Sequence, residues 1–272
     1  MIKLNYFPKI SSLSYLLLFL SFLILFFLSC SSESPTEIVE LVSSSVKWNG
    51  CLSGDGFNYL TVSNRIGPIT IYGNGIPDTI RAYMYKRVSA ENITKAGAHF
   101  DDISFEYTQL NDSIVCSVNA PENSASLKYY SSLDLEIFGE IPTFIKYPNE
   151  AASIYYMDTT VYVLNSNGTI NLHQHHGSCD INTRNGDISI ELILNDGGFC
   201  RAFTEEGNIV ITIPSSISAT LFAKTYEGTI TTQNFTIIDQ TESQGELSGT
   251  INEGNGEIHI ETKKGNIEII GI

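Results

Sequence analysis

From residue 165 onward the sequence repeats itself, and this limits the possible fold more than any other feature. The segments Asn167-Gly168-Thr-Ile-Asn-Leu172, Asn185-Gly186-Asp-Ile-Ser-Ile190, Glu206-Gly207-Asn-Ile-Val-Ile211, Glu227-Gly228-Thr-Ile-Thr231, Asn255-Gly256-Glu-Ile-His-Ile260 and Lys264-Gly265-Asn-Ile-Glu-Ile269 share one pattern. A turn residue, a glycine and a polar residue are followed by isoleucine alternating with polar residues. Weaker copies begin at Gly177 and Gly198; Gly168, Gly177 and Gly186 are nine apart, and Gly186, Gly207 and Gly228 are 21 apart. Such alternation marks a half-buried strand, and a glycine at its start marks a tight turn. Two strands per unit cannot bury their apolar face alone. Stacked units can, in a ladder of Ile170, Leu172, Ile188, Ile190, Ile209, Ile211, Ile230, Ile258, Ile260, Ile267 and Ile269. The expected fold is therefore all-β, a β-solenoid or β-helix-like stack of short strands. An antiparallel meander or sandwich is the competing architecture.

The N-terminal half alternates too, less regularly, over 59–62, 68–72, 80–85, 103–107, 113–118, 133–138 and 160–164. Ser89–Phe100 is the single helical candidate, with Ser89 as its cap and Glu91 in its first turn. No Pro-rich linker or change of composition divides the halves. Residues 46–272 read as one β-repeat domain with a less regular beginning.

The first 29 residues are set apart from the fold as a signal peptide. Lys3 and Lys9 precede an apolar run, 15–28, that is shorter than the roughly 20 residues a membrane-spanning helix needs. The run ends at Phe27-Leu28-Ser29-Cys30, which resembles the lipobox of bacterial lipoproteins, with Cys30 as the lipid acceptor. Residues 30–45 then form a polar, lipidated tether. Removing Lys3 and Lys9 with the signal peptide takes the formal net charge from −15 to −17. That charge disfavours nucleic acid, whose binding depends on neutralising phosphates with Lys and Arg. The localisation expected is the cell envelope, held by the lipid, with the outer membrane favoured.

The stretches Gly207-Asn-Ile-Val-Ile-Thr-Ile-Pro214, Ala219–Gly228 and Gly256–Ile269 resemble a bacterial family of adhesin-like β-strand-repeat proteins, a domain of unknown function. Val62–Gly73 is similar to the family's first strands, so the resemblance covers roughly residues 55–272. It implies a repeat fold without defined catalytic residues.

Four cysteines remain beyond the anchor, an even number in an exported chain, which suggests disulfides. Cys179 and Cys200 are 21 apart and each sits two residues after its glycine. They should point inward on adjacent coils about 4.8 Å apart, within reach of a bridge. Cys51–Cys116 is left by elimination. His173-Gln-His175-His176 is the one metal-like cluster, with His173 and His175 on the outer face by alternation. A tight site needs further ligands, so the cluster reads as a solvated loop, and neither metal nor cofactor is expected. Acids such as Asp187, Glu191, Glu205, Glu257, Glu261 and Glu268 alternate outward as on an ordinary solvated strand face. No nucleophile elbow or phosphate loop is present. The chain reads as a non-catalytic display protein for a protein or glycan ligand. A periplasm-facing structural or stress component and a carbohydrate-active β-helix enzyme are the alternatives.

Overall fold

Strands with isoleucine on one side and Thr, Ser, Asn or Glu on the other bury a single face, so two such sheets must meet across a shared core. The computed structural model describes residues 58–76, 79–146 and 150–272, and the backbone of 39–42 and 46–51. The signal peptide (1–29), the lipid acceptor Cys30, residues 30–38 and 43–45 of the tether, and the side chain of Cys51 lie outside the described residues.

The strands are β1 (Val39–Val42), β2 (Val46–Cys51), β3 (Tyr59–Asn64), β4 (Ile69–Tyr72), β5 (Thr79–Ala90), β6 (Ser104–Leu110), β7 (Ser113–Asn119), β8 (Leu127–Glu136), β9 (Thr143–Lys146), β10 (Ala152–Tyr155) and β11 (Val161–Leu164). They continue as β12 (Ile170–His176), β13 (Cys179–Asn185), β14 (Ile188–Ile193), β15 (Phe199–Glu206), β16 (Ile209–Ile213), β17 (Ala219–Glu227), β18 (Ile230–Gln233), β19 (Ile238–Ser243), β20 (Glu246–Ile251), β21 (Gly256–Lys264) and β22 (Ile267–Gly271). Strand β1 falls within the residues read as tether and pairs with β5.

Among the described residues these strands form two sheets of eleven. Each coil gives one strand to each sheet, and neighbouring coils pair in parallel. From one end the coils run β7–β8, β3–β4, β9–β10, β11–β12, β13–β14, β15–β16, β21–β22 and β17–β18. Antiparallel strands close the stack: β5 with β1 and β2, and β6, at one end; β20 and β19 at the other. The expected solenoid is thus present as two parallel-rich sheets. Chain order and stack order agree only in the middle. Near one end β3–β4 sits second, although it comes first in the chain; near the other, β21–β22 is wedged between β15–β16 and β17–β18. Gly207 and Gly228, 21 residues apart, are therefore not neighbours, because Gly265 lies between them. Likewise Asn255–Ile260 begins a strand of the second sheet, whereas the other five strong copies of the motif lead into the first.

The predicted ladder is the core. Ile170, Leu172, Ile188, Ile190, Ile209, Ile211, Ile258, Ile260, Ile267 and Ile269 are buried, and Ile230, on the last coil, is partly so. Each such side chain stabilises the fold by roughly 1.5–3 kcal/mol. The corner between the sheets holds a second ladder, of hydroxyls. Thr204, Thr262 and Thr225 point inward and donate to the carbonyl oxygens of Gly186, Gly207 and Gly265 in the preceding coil, at 3.0, 2.9 and 2.8 Å. Glycine is required in this row because the coils touch there. At Gly265, with φ +152°, an added Cβ would run into the Gly207 carbonyl. Two coils earlier than Thr204 an amide takes this place: Asn165 Nδ2 donates to the Glu150 carbonyl oxygen of the preceding coil at 3.1 Å and to those of Asn167 and Gly168 in its own coil at 2.7 and 3.3 Å.

The helix is α1 (Ile93–Ala98), shorter than expected. Asn92, not Ser89, caps it, accepting from the Lys95 amide at 2.9 Å. Ser89 remains in β5, whose pairing with β8 runs unbroken to Ala90.

Candidate functional site

Alternation assumes an unbroken strand, and β12 is broken. Its pairing with β14 shifts between Leu172 and His175, where Gln174 adopts φ +46°. The preceding coil does the same at Tyr156, with φ +59°. Each bulge adds one residue on the outer side, so Tyr156 and Gln174 turn outward while Met157 and His175 turn into the core.

The histidine expectation is corrected by this bulge. His173 faces outward, stacked on Tyr155 at 4.8 Å, and Tyr155 stacks in turn on Tyr72 at 5.2 Å. His175 is fully buried. Its Nε2 lies 3.0 Å from the Ser178 carbonyl oxygen, its Nδ1 has no partner, and burial holds its pKa below the usual imidazole range. The two rings are on opposite sides of the sheet and cannot share an ion. His176 is the ring that comes outward, 3.1 Å from Asp158 of the adjacent coil. The 18-residue offset from Ile154-Tyr-Tyr-Met157 to Leu172-His-Gln-His175 was the available signal, since it aligns His175 with an apolar residue.

The two bulges open a cleft of about 420 Å³ at the corner after the first sheet. Its lining combines apolar Tyr156, Leu192, Ile193, Pro214 and Ile272 with polar Asp158, Gln174, His176, Glu191 and Thr212. Large apolar side chains are left in water there: Tyr156 is 44%, Ile193 47% and Ile272 68% exposed. Its volume suits one side chain or a small ligand. Backbone held at positive φ by non-glycine residues is strained, and such strain gathers where a surface is shaped for contact.

Cys179 and Cys200 face each other in register on β13 and β15, both buried, with their sulfurs 3.4 Å apart. They are thiols in this structure. The Cys179 thiol donates to Cys200, and this contact together with burial pushes its pKa well up. Cys116 is buried on β7, and burial pushes its pKa up to about 12. Several acids of the repeat meet cations on neighbouring strands. Examples are Arg201–Glu257 at 3.2 Å, Lys263–Glu205 at 3.0 Å and Lys264–Glu206 at 3.1 Å.

A stack of two-strand coils with in-register glycine corners defines a parallel repeat protein. Within that class, residues 153–270 match the family described as Toastrack DUF4097. No curated protein matches the chain. Among solved structures it is similar to a "putative cell adhesion protein" from Clostridium sporogenes ATCC 15579, at 13% identity and TM-score 0.48, covering 84% of this chain and all of that one. A "putative adhesin" from Bacteroides fragilis NCTC 9343 is similar at 9% identity and TM-score 0.33, over 84% of this chain and 97% of that one. A "putative lipid binding protein" from Parabacteroides distasonis ATCC 8503 follows at 10% identity and TM-score 0.20, over 85% and 97%. None of these three likenesses bears on function here.

Proposed function

We propose that this chain is a lipid-anchored envelope protein, exported by residues 1–29, acylated on Cys30 and held at the outer membrane. It displays a non-catalytic β-repeat domain for binding or adhesion to a protein or glycan. The observation that carries the binding role is the cleft of Tyr156, Ile193 and Ile272, apolar surface left in water on a preorganised backbone. The lipobox carries the anchorage. In the oxidising envelope, Cys179 joins Cys200 and Cys51 joins Cys116.

Two measurements test this together. Cells fed a labelled fatty acid should label the wild-type chain but not Cys30→Ser. Protease added to intact cells should cut the chain while a periplasmic control survives. Protection until the outer membrane is permeabilised would remove the adhesion role and leave a periplasm-facing one.

A further inference from the structure

The cleft combines apolar side chains with two carboxylates, Asp158 and Glu191, and this restricts what can occupy it. Asp158 already has His176 at 3.1 Å. Glu191, in the same cleft, has no cationic partner among the described residues and stands beside its apolar lining. The whole chain carries a formal charge of −15, which repels anionic ligands and draws basic ones. Lysine and arginine match both halves of such a site: the aliphatic stem lies on apolar surface while the charged head reaches outward to a carboxylate. A guanidinium or ammonium can also settle over the exposed Tyr156 ring.

We propose that this cleft receives a partner protein's lysine or arginine side chain, its stem on Ile193 and Ile272, its head at Glu191, beside an aliphatic or aromatic neighbour packed against Tyr156. This rests on the binding role proposed above and names the partner chemistry. The carboxylates of Asp158 and Glu191 disfavour an anionic ligand. A small apolar one would leave Glu191 unanswered.

The test uses the full chain, with the isoleucine methyl groups observed by NMR. The probes are the capped tripeptide Phe-Lys-Leu and the same tripeptide with norleucine in place of lysine. Saturable shifts at Ile193 and Ile272 are expected with the lysine peptide, and binding about tenfold weaker with norleucine, the effect of losing one charge-assisted contact. Glu191→Gln, a near-isosteric change on the outward side of β14, should bring the lysine peptide down to the norleucine level. Equal binding of both peptides to the wild type overturns the charge-selective assignment. Silence at these methyls with both peptides overturns the site. Shifts there with cello- or chito-oligosaccharides and not with the peptides would replace it with a glycan site. A chain that is surface-exposed on cells yet silent to the peptides keeps the display role and loses only this assignment.

Discussion

A threonine hydroxyl aimed at a glycine carbonyl is the smallest unit of this fold, and its strength can be read one residue at a time. In Thr204→Val or Thr262→Val the shape is kept but a half-buried glycine carbonyl loses its donor. Each substitution should lower unfolding free energy by about 1–3 kcal/mol, measured by urea denaturation. Thr183 provides the internal control. It stands in the same inward row, but its hydroxyl has no partner, and the Gly168 carbonyl receives Asn165 Nδ2 instead. Thr183→Val removes an unsatisfied buried hydroxyl and should be neutral or stabilising; a loss equal to that at Thr204 would show that the carbonyl contacts are not what holds the corner. The pattern behind this row was legible. Thr or Asn stands three residues before Gly in Asn165–Gly168, Thr183–Gly186, Thr204–Gly207, Thr225–Gly228 and Thr262–Gly265. Reading only the glycine and the alternation after it found the strands and missed what fastens their ends.

At the scale of the strand, β12 shows why alternation found the core yet misplaced a histidine. Period-two reading holds as long as the backbone stays extended, and nothing about Gln174 by itself announces φ +46°. The bulge places His175 where the neighbouring coil has Met157, in a site that holds it neutral. The linkage follows from that depressed pKa. The unfolded chain binds the proton more readily, so stability is complete above about pH 6.5 and falls as pH drops from there through the lower folded-state value. Urea midpoints at pH 7.5 and pH 5 should differ for the wild type, and His175→Met, copying the adjacent coil, should narrow the difference. An unchanged difference would place the pH sensitivity elsewhere. The cysteine register was more legible, because β13 and β15 carry no break between Cys179 and Cys200 and their partners. Burial shields both sulfurs from reagent, and the raised pKa of Cys179 leaves that thiol little ionised. The reduced, folded chain should therefore resist iodoacetamide at both positions until it is denatured. Chain recovered unreduced from the envelope should stay unmodified there even when denatured; full alkylation of that sample would remove the Cys179–Cys200 bridge.

For the whole stack, the order of coils is a property no single repeat displays. Equal spacing of Gly186, Gly207 and Gly228 suggested direct succession, but electrostatics opposes it. Glu205-Glu206 beside Tyr226-Glu227 would set like charges on adjacent strands, which is unfavourable. The strand carrying Lys263-Lys264 separates them, with Lys264 in register with Glu206 on one side and Glu227 on the other. A residue pattern can show that strands stack; which strand lies beside which depends on such cross-strand terms and on the path of the chain. The consequence is that the last segment of the sequence is an interior part of the core. Residues 253–272 supply β21 and β22, with Ile258, Ile260, Ile267 and Ile269 fully buried. At roughly 1.5–3 kcal/mol per side chain, these four account for about 6–12 kcal/mol, comparable with the about 5–15 kcal/mol that holds a typical domain together. In a solenoid stacked in chain order, removing the last coil would shorten the stack and leave the rest folded. Here a stop after Asn252 should abolish the cooperative thermal transition seen by circular dichroism, because β17–β18 loses the surface on which it rests. A synthetic peptide of residues 253–272, added during refolding, should restore that transition, since the gap it fills is lined on both sides by in-register parallel strands. A truncated chain that melts cooperatively by itself would mean that β17–β18 can close directly onto β15–β16, and that the inserted pair is dispensable to the stack.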